Sequence, residues 1–129
     1  MHLKTILLLL SLAATSSGVI YLDESPMEVA TKVQAQLDDY IRTGYRVGVL
    51  SMLMDRFVYE NCKGRKYGRD AFVDFAMSTA TTGKVYEARA DKQYVIYKVK
   101  YWATAREFMI SKQFTGWYFE KGQELLCPP

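Results

Sequence analysis

The second half of the chain most constrains what it can fold into. From Lys84 to Cys127 it reads as successive segments, "KVYEARA", "YVIYKVKYWAT", "EFMISKQFTGWYFE" and "QELLC", rich in Tyr, Val, Ile, Phe and Trp. β-branched and aromatic residues in alternation suit pleated, half-buried strands. Val95, Tyr97, Val99 and Tyr101 fall on one side of such a strand, and Ile96, Lys98, Lys100 and Trp102 on the other. The sheet therefore has one covered face and one partly wet face. A break at Asp91 and Lys92, a bend near Ala105 and Arg106, and a tight "KG" turn at Lys121 and Gly122 divide the run into three or four antiparallel strands. Such a sheet needs a cover, and the first half of the chain must supply it.

That half is helical in pattern. In "SPMEVATKVQAQLDDYIRTGY", Ser25 is an N-cap, Pro26 stands at the first helical position and Glu28 follows three residues after the cap, the arrangement of a capping box. Ala30, Val33, Leu37, Tyr40 and Ile41 then form one apolar stripe, closed by Gly44. "RVGVLSMLMD" predicts a brief helix from about Val47 to Met54. "RFVYEN" alternates as a strand, "CKGRK" is a turn and "YG" a stub of returning strand. "RDAFVDFAMSTA" is an amphipathic helix with Ala71, Phe72, Phe75 and Ala76 on one side, ended by Gly83. Helices first and strands after imply an α+β fold with helices on one side of a curved, mainly antiparallel sheet.

"MHLKTILLLLSLAATSSG", residues 1–18, has a single cation, a short apolar run and then small residues, the order of a secretory signal peptide. Its apolar core is shorter than the roughly 20 residues of a spanning helix, so an exported protein is expected, not a membrane-bound one. Residues 19–129 then form one domain of about 111 residues. The chain's one histidine, His2, leaves with the signal, which removes Ser-His-Asp and Cys-His nucleophile systems and the commonest metal ligand. Lys4 leaves too, lowering the formal net charge from +3 to +2, too small a balance to argue for nucleic acid. No metal or other cofactor is implied. Two cysteines remain, Cys62 and Cys127, and in an oxidising compartment pairing is the default.

"LMDRFVYENCKGRKYGRDAFVDFAMSTA" resembles the short helix, Asp, strand, turn, Gly-Arg-Asp-Ala and helix of the nuclear transport factor 2-like superfamily, which includes ketosteroid isomerase and the polyketide cyclases. "YFEKGQELL" is similar to the closing Lys-Asp-Gly-Gln-Trp hairpin of that group. The resemblance implies a cone: a strongly bent sheet wrapped around a long helix, with an apolar pocket between them and dimerisation through the outer sheet face. It also implies that the strand starting near Arg56 lies parallel to and beside the last strand. Cys62 and Cys127 would then meet at the ends of neighbouring strands. Gly68 reads as a turn residue and Asp70 as a favourable anion in a helix's first turn. Lys63, Arg65 and Lys66 read as a solvated hairpin tip.

In isomerase-like members an acid on the first strand points into the pocket as general base. The resemblance places Glu60 nearest that position, with Val58 on the same face, and a slip of the alignment would bring Asn61 there instead. Tyr40 and Tyr45 are candidate oxyanion donors, and Trp102 a candidate pocket wall. The second acid of the isomerase pattern has no counterpart, since Lys98 and Lys100 occupy that region. The reading is thus a secreted, non-enzymatic domain that binds a small apolar molecule or a protein. Such binding would depend little on salt, or on pH between about 5 and 8. A weak homodimer through the sheet face carrying Ile96, Trp102, Lys98 and Lys100 is expected. Two alternatives remain: an isomerase- or cyclase-like enzyme using Glu60, and a cystatin-like protease inhibitor. The inhibitor needs a Gln-Val-Val-Ala-Gly-like hairpin, which "QFTGW" matches only in part, and a late Pro-Trp, which is missing.

Overall fold

The structure, a computed structural model, describes residues 24–79 and 81–127. The expected signal peptide, 1–18, lies outside the described residues.

Helix α1, Pro26–Arg42, starts where the Ser25 hydroxyl accepts the Glu28 N–H at 3.2 Å. It ends where the Thr43 N–H bonds the Asp39 carbonyl and Gly44 turns the chain at φ 71°. Its buried side is Val29, Ala30, Val33, Gln34, Leu37 and Ile41. The expected stripe is there, with one glutamine inside it. Helix α2, Arg46–Ser51, is a single short element that hands directly to β1, Leu53–Glu60. Both begin and end earlier than the sequence suggested, because Met52, Leu53 and Phe57 all reach the core.

Asn61 organises the next turn, its side-chain oxygen accepting the N–H groups of Lys63 at 3.0 Å and Arg65 at 2.8 Å. The two-residue β2, Lys66–Tyr67, returns antiparallel to β1. Helix α3, Arg69–Thr79, follows with Asp70 in its first turn, as expected. It buries Phe72, Val73 and Ala76 and leaves Ala71 exposed, so the helical face is turned by one residue from the expected one. The helix ends at Thr79 rather than at Gly83. Gly83 serves another purpose, since a Cβ there would lie 2.5 Å from a Val99 methyl and 2.9 Å from the Tyr101 ring.

Four strands complete the chain: β3 (Lys84–Asp91), β4 (Tyr94–Lys100), β5 (Ala105–Gln113) and β6 (Gly116–Glu124). The sheet has six strands in the order β2-β1-β6-β5-β4-β3, antiparallel throughout except for the parallel pair β1 and β6. The parallel pairing implied by the resemblance is present. One expectation fails: no turn occurs at Lys121 and Gly122. The chain reverses at Phe114 and Thr115, and β6 runs straight through Gly122. Gly122 is needed mid-strand because a Cβ there would meet the Phe108 ring at 2.6 Å and Tyr59 at 3.0 Å.

The core lies between the helices and the face of the curved sheet that they cover. Val95, Tyr97, Val99 and Tyr101 of the β4 segment are all buried there, as alternation requires. Phe57, Tyr59, Phe72, Phe108, Phe119 and Tyr97 form a continuous aromatic cluster, with ring centroids 4.9 to 6.5 Å apart along the chain of contacts. Ring pairs at these distances add to burial energy through edge-to-face and offset geometry. Cys62 and Cys127 are joined, with Cα atoms 5.1 Å apart. The bridge fastens the ends of the parallel strands β1 and β6.

Candidate functional site

The interior of the cone is occupied by its own side chains. Tyr59, Tyr97, Phe108 and Phe119, each at most 1% exposed, fill the space between sheet and helices where the resemblance implied an apolar pocket. Toward one end of the sheet this packing gives way to polar groups. Gln34, the glutamine in the apolar stripe of α1, accepts the Tyr97 hydroxyl at 2.7 Å and donates to the Tyr101 hydroxyl at 2.7 Å and to Asp38 Oδ1 at 2.9 Å. The second oxygen of Asp38 accepts the Gly83 N–H at 3.0 Å. Buried side-chain amides keep their place only when satisfied, and this one is fully engaged.

Beyond Tyr101 stands Arg106, 5% exposed, on the covered face of β5. Its guanidinium carbon lies 4.3 Å from the ring centroid of Tyr101, 5.0 Å from Phe75 and 5.7 Å from Tyr59. Burial pushes the Tyr101 hydroxyl up to about 12, with Arg106 pulling the other way. It raises the hydroxyls of Tyr59 and Tyr97 as well, so all three stay neutral. Asp38 is also raised by desolvation, against the lowering effects of the Gly83 N–H, the Gln34 amide and Arg106. The Tyr59 hydroxyl is buried with no hydrogen-bond partner among the described residues. Glu124 lies near enough to raise it further.

Here the cone opens. A pocket of about 310 Å³ is bordered by Phe75, Thr79, Tyr101, Trp102, Arg106 and Glu124. Trp102, on the loop from β4 to β5, is 91% exposed at the pocket rim. It also borders a second depression, of about 520 Å³, with Tyr86, Lys100 and Leu126. Of the residues expected to line a pocket, Trp102 alone is at this one.

The others lie elsewhere. Glu60 and Val58 are on the opposite face of the sheet, where they border an outer groove of about 400 Å³ with Ile96, Met109, Glu107 and Lys121. The expectation that Glu60 points into the cone is therefore corrected. Along β1, Leu53, Phe57 and Tyr59 share one parity and are buried, so Val58 and Glu60 point outward. Asn61 does not take the inward place either, being committed to the turn. Tyr40 and Tyr45 stack edge to face, 5.4 Å between centroids, around Gly48 at the start of α2. They are not at the pocket. Lys98 pairs with Glu87 at 3.2 Å on the outer face. No group of acids, cysteines and histidines suited to hold a metal ion occurs among the described residues.

Gln34, Asp38 and Arg106 were missed in the sequence. Their signal is present in hindsight of pattern alone: Gln34 sits four residues after Ala30 in an apolar stripe, and Arg106 falls on the parity of Phe108 and Ile110. A polar residue on a core-facing parity marks a buried network.

No family model matches the sequence, and no curated protein matches it. Solved structures do. A nuclear transport factor 2-like protein from Cytophaga hutchinsonii superposes with TM-score 0.62 at 13% identity, over 78% of this chain and 97% of that one. A nuclear transport factor 2-like protein of unknown function from Silicibacter pomeroyi gives TM-score 0.63 at 12% identity, over 75% and 92%. A domain of unknown function with a cystatin-like fold from Nostoc punctiforme gives 0.59 at 16% identity, over 78% and 77%. These define an α+β protein with helices on a curved sheet. The chain has the nuclear transport factor 2-like fold.

Proposed function

We propose that this is an exported, non-enzymatic domain that binds a small molecule with an aromatic or aliphatic body in the pocket between Phe75, Tyr101 and Trp102. The observation that carries the reading is that pocket. Aromatic packing fills the centre of the cone, and about 310 Å³ of partly aromatic-walled space is left at its open end. Small-molecule sites run from roughly 300 to 1,000 Å³, so this one suits a one- or two-ring compound. Catalysis has little to work with there. Glu60 faces away, and the Asp38 carboxylate is tied to Gln34 and Gly83. The Cys62–Cys127 bridge supports export, because disulfides persist in oxidising compartments.

A ligand-observed NMR screen of small aromatic compounds against wild type and Ala103→Trp tests this. Ala103 is an exposed pocket-edge residue, so the substitution adds bulk to the site without entering the core. Hits that bind wild type and are lost in Ala103→Trp are expected. No hits, or hits indifferent to the substitution, would contradict the reading, as would steroid-isomerase-like turnover that Glu60→Gln abolishes.

A second role is favoured by the outer groove. Val58, Ile96 and Met109 put apolar surface among Arg89, Glu107 and Lys121 on the uncovered sheet face. Such a mixed surface suits a weak homodimer.

A further inference from the structure

The open end of the cone holds a cation that the protein leaves without a counter-ion. Arg106 is buried, yet none of the ion pairs among the described residues includes it. Its Nε–H, shut from solvent, has no acceptor. Rings of Tyr101, Phe75 and Tyr59 carry the charge instead. Stacking engages the faces of a guanidinium and leaves its rim. That rim is a planar fork of N–H donors whose geometry matches two oxygens of one anion. With Nε enclosed and the Tyr101 hydroxyl close enough to take one terminal N–H, the remaining Nη–H groups are the donors that the pocket can use.

Two acids stand close, and neither fills the role. Asp38 feels the charge of Arg106, but its two oxygens already accept from Gln34 and Gly83. Glu124 faces Arg106 directly in the pairing of β5 with β6 and borders the same pocket without forming an ion pair. Glu124 is half-buried, so water can still solvate its carboxylate. A buried cation has no such outlet, and remains costly until paired. The unmet demand at this site is therefore for an anion.

We propose that the ligand carries one carboxylate, or a similar two-oxygen anion, which docks on the Nη rim of Arg106 while its apolar body lies against Tyr101, Phe75 and Trp102. This rests on the pocket being a binding site. It further implies that Glu124 weakens the affinity by like-charge repulsion, so its removal should help.

Calorimetric titration with 2-naphthoate and with 2-naphthamide, the same ring system with and without the charge, separates the two ideas. In wild type, naphthoate is expected to bind at least tenfold more tightly than the amide. Arg106→Met should abolish that preference while leaving amide affinity within about twofold. Glu124→Gln should tighten naphthoate several-fold and leave the amide unchanged, and this arm decides the matter if Arg106→Met fails to fold. Equal affinities in wild type, indifferent to Arg106→Met, would overturn the anion preference while the pocket stands. Naphthoate binding weakened by Glu124→Gln would also overturn it. If neither compound binds wild type, the pocket reading and this inference fail together.

Discussion

An alanine at residue 122 would put a methyl group 2.6 Å from the Phe108 ring and 3.0 Å from Tyr59. Both rings are fully buried, so neither has room to give. Gly122→Ala is expected to cost about 1 to 3 kcal/mol, as overpacking of a tight core does, measured as a lowered denaturant midpoint. An unchanged midpoint would mean that β6 does not approach β5 and β1 as closely as described. Asp38 makes a different test. Its carboxyl is raised by desolvation, so the folded state holds the proton more tightly than the unfolded chain, and the ionised form opposes folding. That opposition is present above the raised value and is relieved as pH falls through it toward the ordinary 3.8. Wild type should therefore gain melting temperature relative to Asp38→Asn on acidification across that window, and the reverse slope would contradict the assignment. These residues also show where sequence reading stops. The polarity of Gln34 and Arg106 can be read from the chain, but which buried partner each one meets depends on a helix and a strand far apart in sequence.

The elements themselves were largely legible. The capping residues of α1, the alternation of β4 and the parallel placing of β1 beside β6 all follow from local pattern or from the resemblance. The register of β1 was not. A strand has two faces, and a one-residue choice of parity moves every side chain to the other one. Leu53, Phe57 and Tyr59 share the inward parity, which leaves Val58 and Glu60 on the outer face. The β5–β6 turn was misplaced for a related reason. Gly122 carries the composition of a turn but is required by ring packing, whereas Phe114 and Thr115 carry no strong turn signal and make the reversal. At this scale the disulfide is the element most open to test. Cys62 and Cys127 are 65 residues apart, and closing a loop of that length is worth about 4 kcal/mol by chain entropy. Protein purified without reductant should show no free thiol. Cys62→Ala should lower the yield of folded protein and leave Cys127 reactive to a thiol reagent. Two free thiols in the unreduced wild type would contradict the bridge.

For the whole molecule, two surfaces compete as the place of function: the pocket at the cone's open end and the groove on the outer sheet face. The outer face interleaves Val58, Ile96 and Met109 with charges, and Arg56 binds Glu120 there through two bonds of 2.9 and 2.8 Å. Association through it should be weak and concentration-dependent. A tight dimer at nanomolar concentration in sedimentation velocity would contradict this. The pocket is the stronger claim, because its walls combine exposed aromatic surface with a buried cation that has no ion-pair partner among the described residues. The most direct test is to map amide and side-chain shift changes by NMR as 2-naphthoate is titrated into the protein. The expected result is a single cluster of changes at Phe75, Tyr101, Trp102 and Arg106. Changes centred on Val58, Ile96 and Met109, with none at Arg106, would contradict it.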